Sequence, residues 1–170
     1  MTSKLVLING QVASGKSSVG KALLNDLSRS AYIDGDALMS VNPFGINDKL
    51  DALAIKNLVS LINNYSEEGY KYIIVSGLIR NQKLLDNFLS KLSLKVDVLF
   101  VWLRAAKEVL RKRRLSRKRD GADNPEHHEF IDKLIPDANS FVIKDGSCLD
   151  IDTSTKTIEE VVAEIKARLV

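Results

Sequence analysis

The sequence predicts an α/β fold, one parallel sheet with helices packed on both of its faces. Three observations predict it. Short apolar runs alternate along the chain with longer stretches whose apolar residues recur at three and four. The runs are apolar throughout, as strands covered on both faces are. The early runs each lead into a helix-length stretch, the crossover that neighbouring parallel strands require.

Leu5 to Ile8 is the first strand. Lys16 to Ser28 follows as a helix, with Val19, Leu23, Leu24 and Leu27 along one side. Ala31 to Ile33 is a short second strand. Asp48 to Glu68 is a long helix, its Leu50, Ala54, Leu58, Leu61 and Ile62 on one face, and Gly69 is its stop. Tyr72 to Val75 is the third strand, bounded by Ser76 and Gly77. Gln82 to Leu92 is helical, and Val96 to Leu103 is the fourth strand. A basic helix begins near Ala106 and is expected to break at Gly121 and Asn124-Pro125. Leu149 to Ile151 is the fifth strand. The last helix opens on a capping box, Thr157-x-x-Glu160.

Hydrophobic residues make up 45% of the 170 positions, enough for one core, and no linker or repeat divides them. Residues 1–170 are therefore expected to form one domain, either monomeric or as a homodimer. The single cysteine, Cys148, cannot pair within the chain, which fits a reducing compartment; its expected place is in or near the core. The apolar run at the start falls far short of the ~18 residues a membrane span needs. Cytoplasm is the expected location, with no membrane partner. Arg104 to Arg119 holds nine Lys/Arg and one Glu, a charge of +8 set against a total of +3 for the chain. That concentration points to one anionic ligand.

The first strand runs into Gly10-Gln11-Val12-Ala13-Ser14-Gly15-Lys16-Ser17, the G-x-x-x-x-G-K-S pattern with every defined position filled. Gly10 and Gly15 let the backbone curl so that successive N–H groups point at phosphate oxygens. The helix beginning at Lys16 adds the positive end of its dipole, reaching Ser18. Lys16 reaches the outer phosphates, and the Ser17 hydroxyl is placed to ligate Mg²⁺. This predicts binding of ATP with Mg²⁺.

The second strand ends in Asp34-Gly35-Asp36, two carboxylates at i and i+2 that point the same way. Asp34 is assigned to Mg²⁺ and Asp36 to the acceptor hydroxyl and its proton, with the two roles open to exchange. The third strand ends in Ser76-Gly77 with no acid to orient water, which suits transfer to a bound hydroxyl. Gly77 leaves room for that substrate, and Arg80 is a candidate grip on an anionic part of it. The arginines from Arg111 to Arg119 read as a lid over the phosphates, a nucleic-acid patch, or a solvated helix face. His127 and His128 have no Cys or His partner nearby and are not expected to bind metal.

Taken together, the phosphate loop, Asp34-Gly35-Asp36, the Ser76-Gly77 strand end and the arginine-rich segment resemble the shikimate kinase and gluconate kinase group of small P-loop kinases. The resemblance implies a five-stranded parallel sheet in the order 2-3-1-4-5, Mg-ATP as donor and a mobile lid, here about 111–126. It implies Arg117 as the lid arginine and Arg111, Arg113 or Arg114 beside the adenine; Arg113 is carried forward as nucleotide-binding. Where shikimate kinases carry three glycines after the third strand, this chain has Gly77 alone before Leu78. The expected activity is transfer of the γ-phosphoryl of Mg-ATP to a small-molecule hydroxyl. The alternatives are a polynucleotide 5′-hydroxyl or nucleoside/nucleotide kinase, and a non-catalytic nucleotide-dependent switch.

Overall fold

The computed structural model describes residues 3–92, 96–117, 126, 133, 141–144 and 146–169. Five strands form one sheet: β1 (Lys4–Gly10), β2 (Ser30–Asp34), β3 (Tyr72–Ser76), β4 (Asp97–Arg104) and β5 (Gly146–Asp152). Their order across the sheet is β2-β3-β1-β4-β5 and every pairing is parallel, the 2-3-1-4-5 arrangement the resemblance implies. The helices are α1 (Lys16–Asp26), α2 (Asp48–Glu67), α3 (Gln82–Lys91), α4 (Lys107–Arg117) and α5 (Ile158–Ala167).

The pleat divides the core in two. Along β1, Leu5 and Leu7 face one side and Val6 and Ile8 the other. Leu5 and Leu7 pack with Ile73, Val75 and Phe100 under α2 and α3, through Leu58, Ile62, Leu85 and Phe88. Val6 and Ile8 pack with Ile74, Val101 and Leu103 under α1 and α5, through Leu23, Val161 and Ile165. All four β1 side chains are fully buried, which is why the strand carries no polar position between Leu5 and Ile8.

Local chemistry sets the helix ends. Asn47 caps α2 by accepting from Leu50 N–H at 2.9 Å, and Asn81 caps α3 by accepting from Leu84 N–H at 2.9 Å. The capping box of α5 forms as expected: Thr157 Oγ1 accepts from Glu160 N–H, and Glu160 Oε2 from Thr157 N–H. Gly69 ends α2 at φ +77°. No described helix is long and apolar enough to cross a membrane.

One expectation meets a different outcome here. Cys148 lies exposed on β5, the edge strand, and not in the core. Partial burial of its sulfur, and after it the charge of Asp150, push its thiol up from the ordinary range. Less thiolate at neutral pH means slow chemistry. Iodoacetamide at pH 8 should alkylate Cys148 several-fold more slowly than free cysteine; an equal or faster rate would contradict this. The expected helix break at Gly121 and Asn124-Pro125 lies outside the described residues, as do Lys118, Arg119, His127 and His128.

Candidate functional site

Parallel pairing brings Ile8, Asp34 and Ser76 into one row, so the segments leaving β1, β2 and β3 gather at one sheet edge. The phosphate-loop pattern occupies the centre of that edge. Gly10 takes φ +135°, and a Cβ there would lie 1.9 Å from the Leu103 carbonyl oxygen on β4. Only glycine lets β1 turn this close to its neighbour. Gln11 fastens the same turn, its Oε1 accepting from Ala105 N–H at 3.2 Å.

Beyond the turn, the chain enters α1. The first intrahelical bond runs from Val19 N–H to Gly15 O at 2.9 Å, so the amides of Lys16, Ser17 and Ser18 precede the ladder. Lys16 Nζ folds back to donate to the Gly10 and Gln11 carbonyls at 3.0 Å each. Ser14 Oγ is buried with no hydrogen-bond partner among the described residues. A cradle of amides, a lysine ammonium and an orphaned hydroxyl fits a polyanion such as a nucleotide triphosphate.

A cavity of about 430 Å³ opens over this cradle. Gly15, Lys16, Ser17 and Ser18 line it, and so do Asp36 and Arg117. The fold thus brings together residues more than 80 positions apart that the sequence assigned separately. Asp36 opens a 3₁₀ turn (Asp36–Met39), and its Oδ1 accepts from Leu78 N–H at 3.2 Å. Gly77 has φ +79°, and a Cβ on it would come within 2.7 Å of that carboxylate oxygen. Gly77 therefore makes room first for Asp36. Asp34 ends β2 beside Ser76 and does not line the cavity. The Ser76 hydroxyl sits 2.7 Å from Tyr32 Oη, inside the sheet edge.

Val12 and Ala13 also line the larger cavity. A smaller cavity of about 180 Å³ adjoins it and shares Ala13, Gly15, Ser18 and Arg117. Arg113, Thr153 and Lys156 complete its wall.

A family model described as AAA domain matches residues 6–132. The chain belongs to the AAA domain family. Solved structures share the fold of this AAA domain over nearly its whole length. One is a sugar kinase from Janibacter sp. HTCC2649, at 18% identity and TM-score 0.74, covering 98% of this chain and 94% of that chain. A gluconokinase from Sinorhizobium meliloti 1021 is similar at 17% identity and TM-score 0.69, with 98% and 91% covered. A tunicamycin resistance protein of Deinococcus radiodurans is similar at 18% identity and TM-score 0.68, with 98% and 95% covered. At these identities the likeness is one of fold. No curated protein sequence matches the chain.

Two arginines of this AAA domain differ from their expected settings. Arg80 precedes α3, and its Nη2 lies 2.6 Å from both carboxylate oxygens of Asp51 on α2, with 17% and 12% of the two side chains exposed. The pair joins α2 to the turn after β3, and the guanidinium's charge is matched within the chain. Arg80→Met would leave the Asp51 carboxylate largely buried and alone, at a cost of about 3–5 kcal/mol in denaturant unfolding. Arg80→Met with Asp51→Leu should recover most of that loss; no recovery would show that the pair's charge is not the cause. Arg104, the first residue of the basic run, bonds Asp150 at 3.2 Å and Asp152 at 2.6 Å across β4 and β5.

Sequence reasoning missed Lys21, Thr153 and Lys156. Lys21 lines the larger cavity and shares a helix face with Ser17 four residues before it, a spacing visible in the sequence. Thr153 follows the carboxyl end of β5. The strand-end rule that found Asp34, Asp36 and Ser76 reaches it too.

Proposed function

We propose that this AAA domain is a phosphotransferase that moves the γ-phosphoryl of Mg-ATP to a hydroxyl of a small molecule. The observation that carries the reading is a single cavity lined by the phosphate loop, Asp36 and Arg117. The loop amides and Lys16 hold the phosphates. Arg117 and Lys16 meet the charge that spreads over the transferring group. Asp36, fixed through one oxygen by Leu78 N–H, turns its other oxygen to the acceptor hydroxyl. The acceptor oxygen bonds to the γ-phosphorus as the bond to the bridging oxygen breaks; ADP leaves and the acceptor proton passes to Asp36. Ser17, which lines the cavity, would hold Mg²⁺ directly and Asp34, outside it, through water; the ion would supply positive charge to the phosphate oxygens. The smaller cavity beside Arg113 and Lys156 suits the base of the nucleotide.

The end of β3 offers no carboxylate to orient water, and Ser76 is engaged by Tyr32. This favours a bound hydroxyl over water as acceptor. Among the described basic residues from 104 to 117, Arg104 and Arg113 bond within the chain, which favours a lid over a nucleic-acid patch. The sugar kinase and gluconokinase of like fold support a small hydroxylated acceptor.

The test is ADP formation from Mg-ATP with and without pools of sugars and sugar acids, nucleosides, hydroxylated antibiotics and 5′-hydroxyl oligonucleotides. The reading expects stimulation by a small-molecule pool. Stimulation by oligonucleotides alone would replace it with the polynucleotide reading.

A further inference from the structure

We propose that Thr153 is a positioning residue of the nucleotide site, tying the phosphate loop to α4 and thereby setting where Arg117 meets the outer phosphates. The inference rests on the reading of the larger cavity as phosphate-binding.

Thr153 is 3% exposed and stands where three parts of the site converge. Its N–H donates to the Arg104 carbonyl at 2.8 Å, which holds it against the end of β4. Its Oγ1 lies 3.2 Å from the Ser14 carbonyl of the phosphate loop and 3.1 Å from the Arg104 carbonyl. Arg113 reaches it from α4 with two nitrogens: Nη1 donates to Oγ1 at 3.0 Å and Nη2 to the Thr153 carbonyl at 2.6 Å. A hydroxyl has one proton and two lone pairs. Oγ1 therefore accepts from Arg113 while giving its one proton to the Arg104 or the Ser14 carbonyl in turn, and with Ser14 it joins helix to loop through one atom.

Val109 of α4 packs beside Ala13 and Ala105. Leu110 is the helix's one buried residue, packed on Ala13 and Ala105. Arg113 and Arg117 are four apart and share a helix face. With the Arg113 fork pinned on Thr153, the next turn is carried to the rim of both cavities, where Arg117 lines each. Arg113 thus acts through Thr153, and its two engaged nitrogens leave it a structural part in the site beyond any stacking on the base.

The experiment measures affinity for Mg-AMPPNP and Mg-ADP by calorimetry in six proteins: wild type, Thr153→Val, Thr153→Ser, Arg113→Met, the Thr153→Val/Arg113→Met double variant and Lys16→Ala. Thr153→Val keeps the shape and removes the hydroxyl. It should weaken Mg-AMPPNP about five- to tenfold and Mg-ADP less than about twofold, because Arg117 addresses the outer phosphates. Arg113→Met should show the same excess loss for Mg-AMPPNP over Mg-ADP, on top of any base contact that both nucleotides lose, and the double variant should show no greater excess than either single one, since both cut one connection. Thr153→Ser should bind both nucleotides as wild type does. Wild-type affinity in Thr153→Val, equal losses for both nucleotides, or additive losses in the double variant would overturn the proposal. If Thr153→Val does not fold, Arg113→Met carries the same comparison from the other side. Lys16→Ala serves as the control: unchanged binding there would overturn the phosphate reading itself, a separate failure.

Discussion

Asp36→Ala lowers phosphoryl transfer by about 10²–10⁴-fold while Mg-ATP affinity changes by less than about threefold. The size reflects the work of the carboxylate. It is the acid group lining the phosphate cavity among the described residues, and it is aimed by a backbone amide, with Leu78 N–H at 3.2 Å. In the proposed reaction, removing it deletes the group that receives the acceptor's proton and leaves the loop amides and Lys16 untouched. The vacated Leu78 amide costs about 1 kcal/mol of stability, too little to unfold the domain. Steady-state ADP formation with a saturating acceptor, paired with nucleotide titration, separates the two effects. Loss of both together would mean that Asp36 supports the nucleotide site and does not address the acceptor. Asp34→Ala makes the contrast: as the Mg²⁺ residue it should show rescue by raised Mg²⁺, whereas Asp36→Ala should not.

Gly10→Ala has the second large effect, and it acts on the cradle as a whole. Its Cβ would meet the Leu103 carbonyl oxygen at 1.9 Å, a backbone atom that cannot turn aside, at a φ of +135° that L-residues avoid. Strain and overpacking together amount to about 3–5 kcal/mol. For a domain of this size that is a fall in melting temperature of about 6–20 °C. The loop would open rather than keep its shape, so nucleotide binding should fall below detection even at temperatures where the variant is folded. Thermal unfolding and Mg-ATP titration check both parts. A stable Gly10→Ala variant with normal affinity would show that β1 can leave β4 without cost.

The strands and helices were legible because their signals are local. Four of the five strands match the expected positions within about two residues, since an apolar run ended by Gly or Asp has little freedom of boundary. β5 runs longer than its apolar core of Leu149 to Ile151, because pairing with β4 recruits Gly146 to Cys148 without needing apolar side chains. The 3₁₀ turn from Asp36 to Met39 carried no periodicity to find. The phosphate loop was legible in full, as its chemistry lies in eight consecutive residues. Asp36 and Arg117 could be nominated but not joined, because only the sheet order places them at one cavity. The partners of Arg80, Arg104 and Arg113 were hidden for the same reason: Asp51, Asp150 and Thr153 lie 29 to 46 residues away, and no short pattern encodes them. The excess of charge from Arg104 to Arg119 was real in the sequence, but part of it is answered within the fold.

The central claim is that the γ-phosphoryl goes to a hydroxyl held beside Asp36. The most direct test tracks the phosphoryl itself, incubating the protein with Mg-ATP labelled at the γ-position and pooled small hydroxylated compounds, then separating the products. The expected result is label on an organic acceptor, and its disappearance in Asp36→Ala with ATP still bound. Label released only as inorganic phosphate, or ATP bound through Lys16 with no turnover in any pool, would contradict the claim and turn the reading toward a nucleotide-dependent switch.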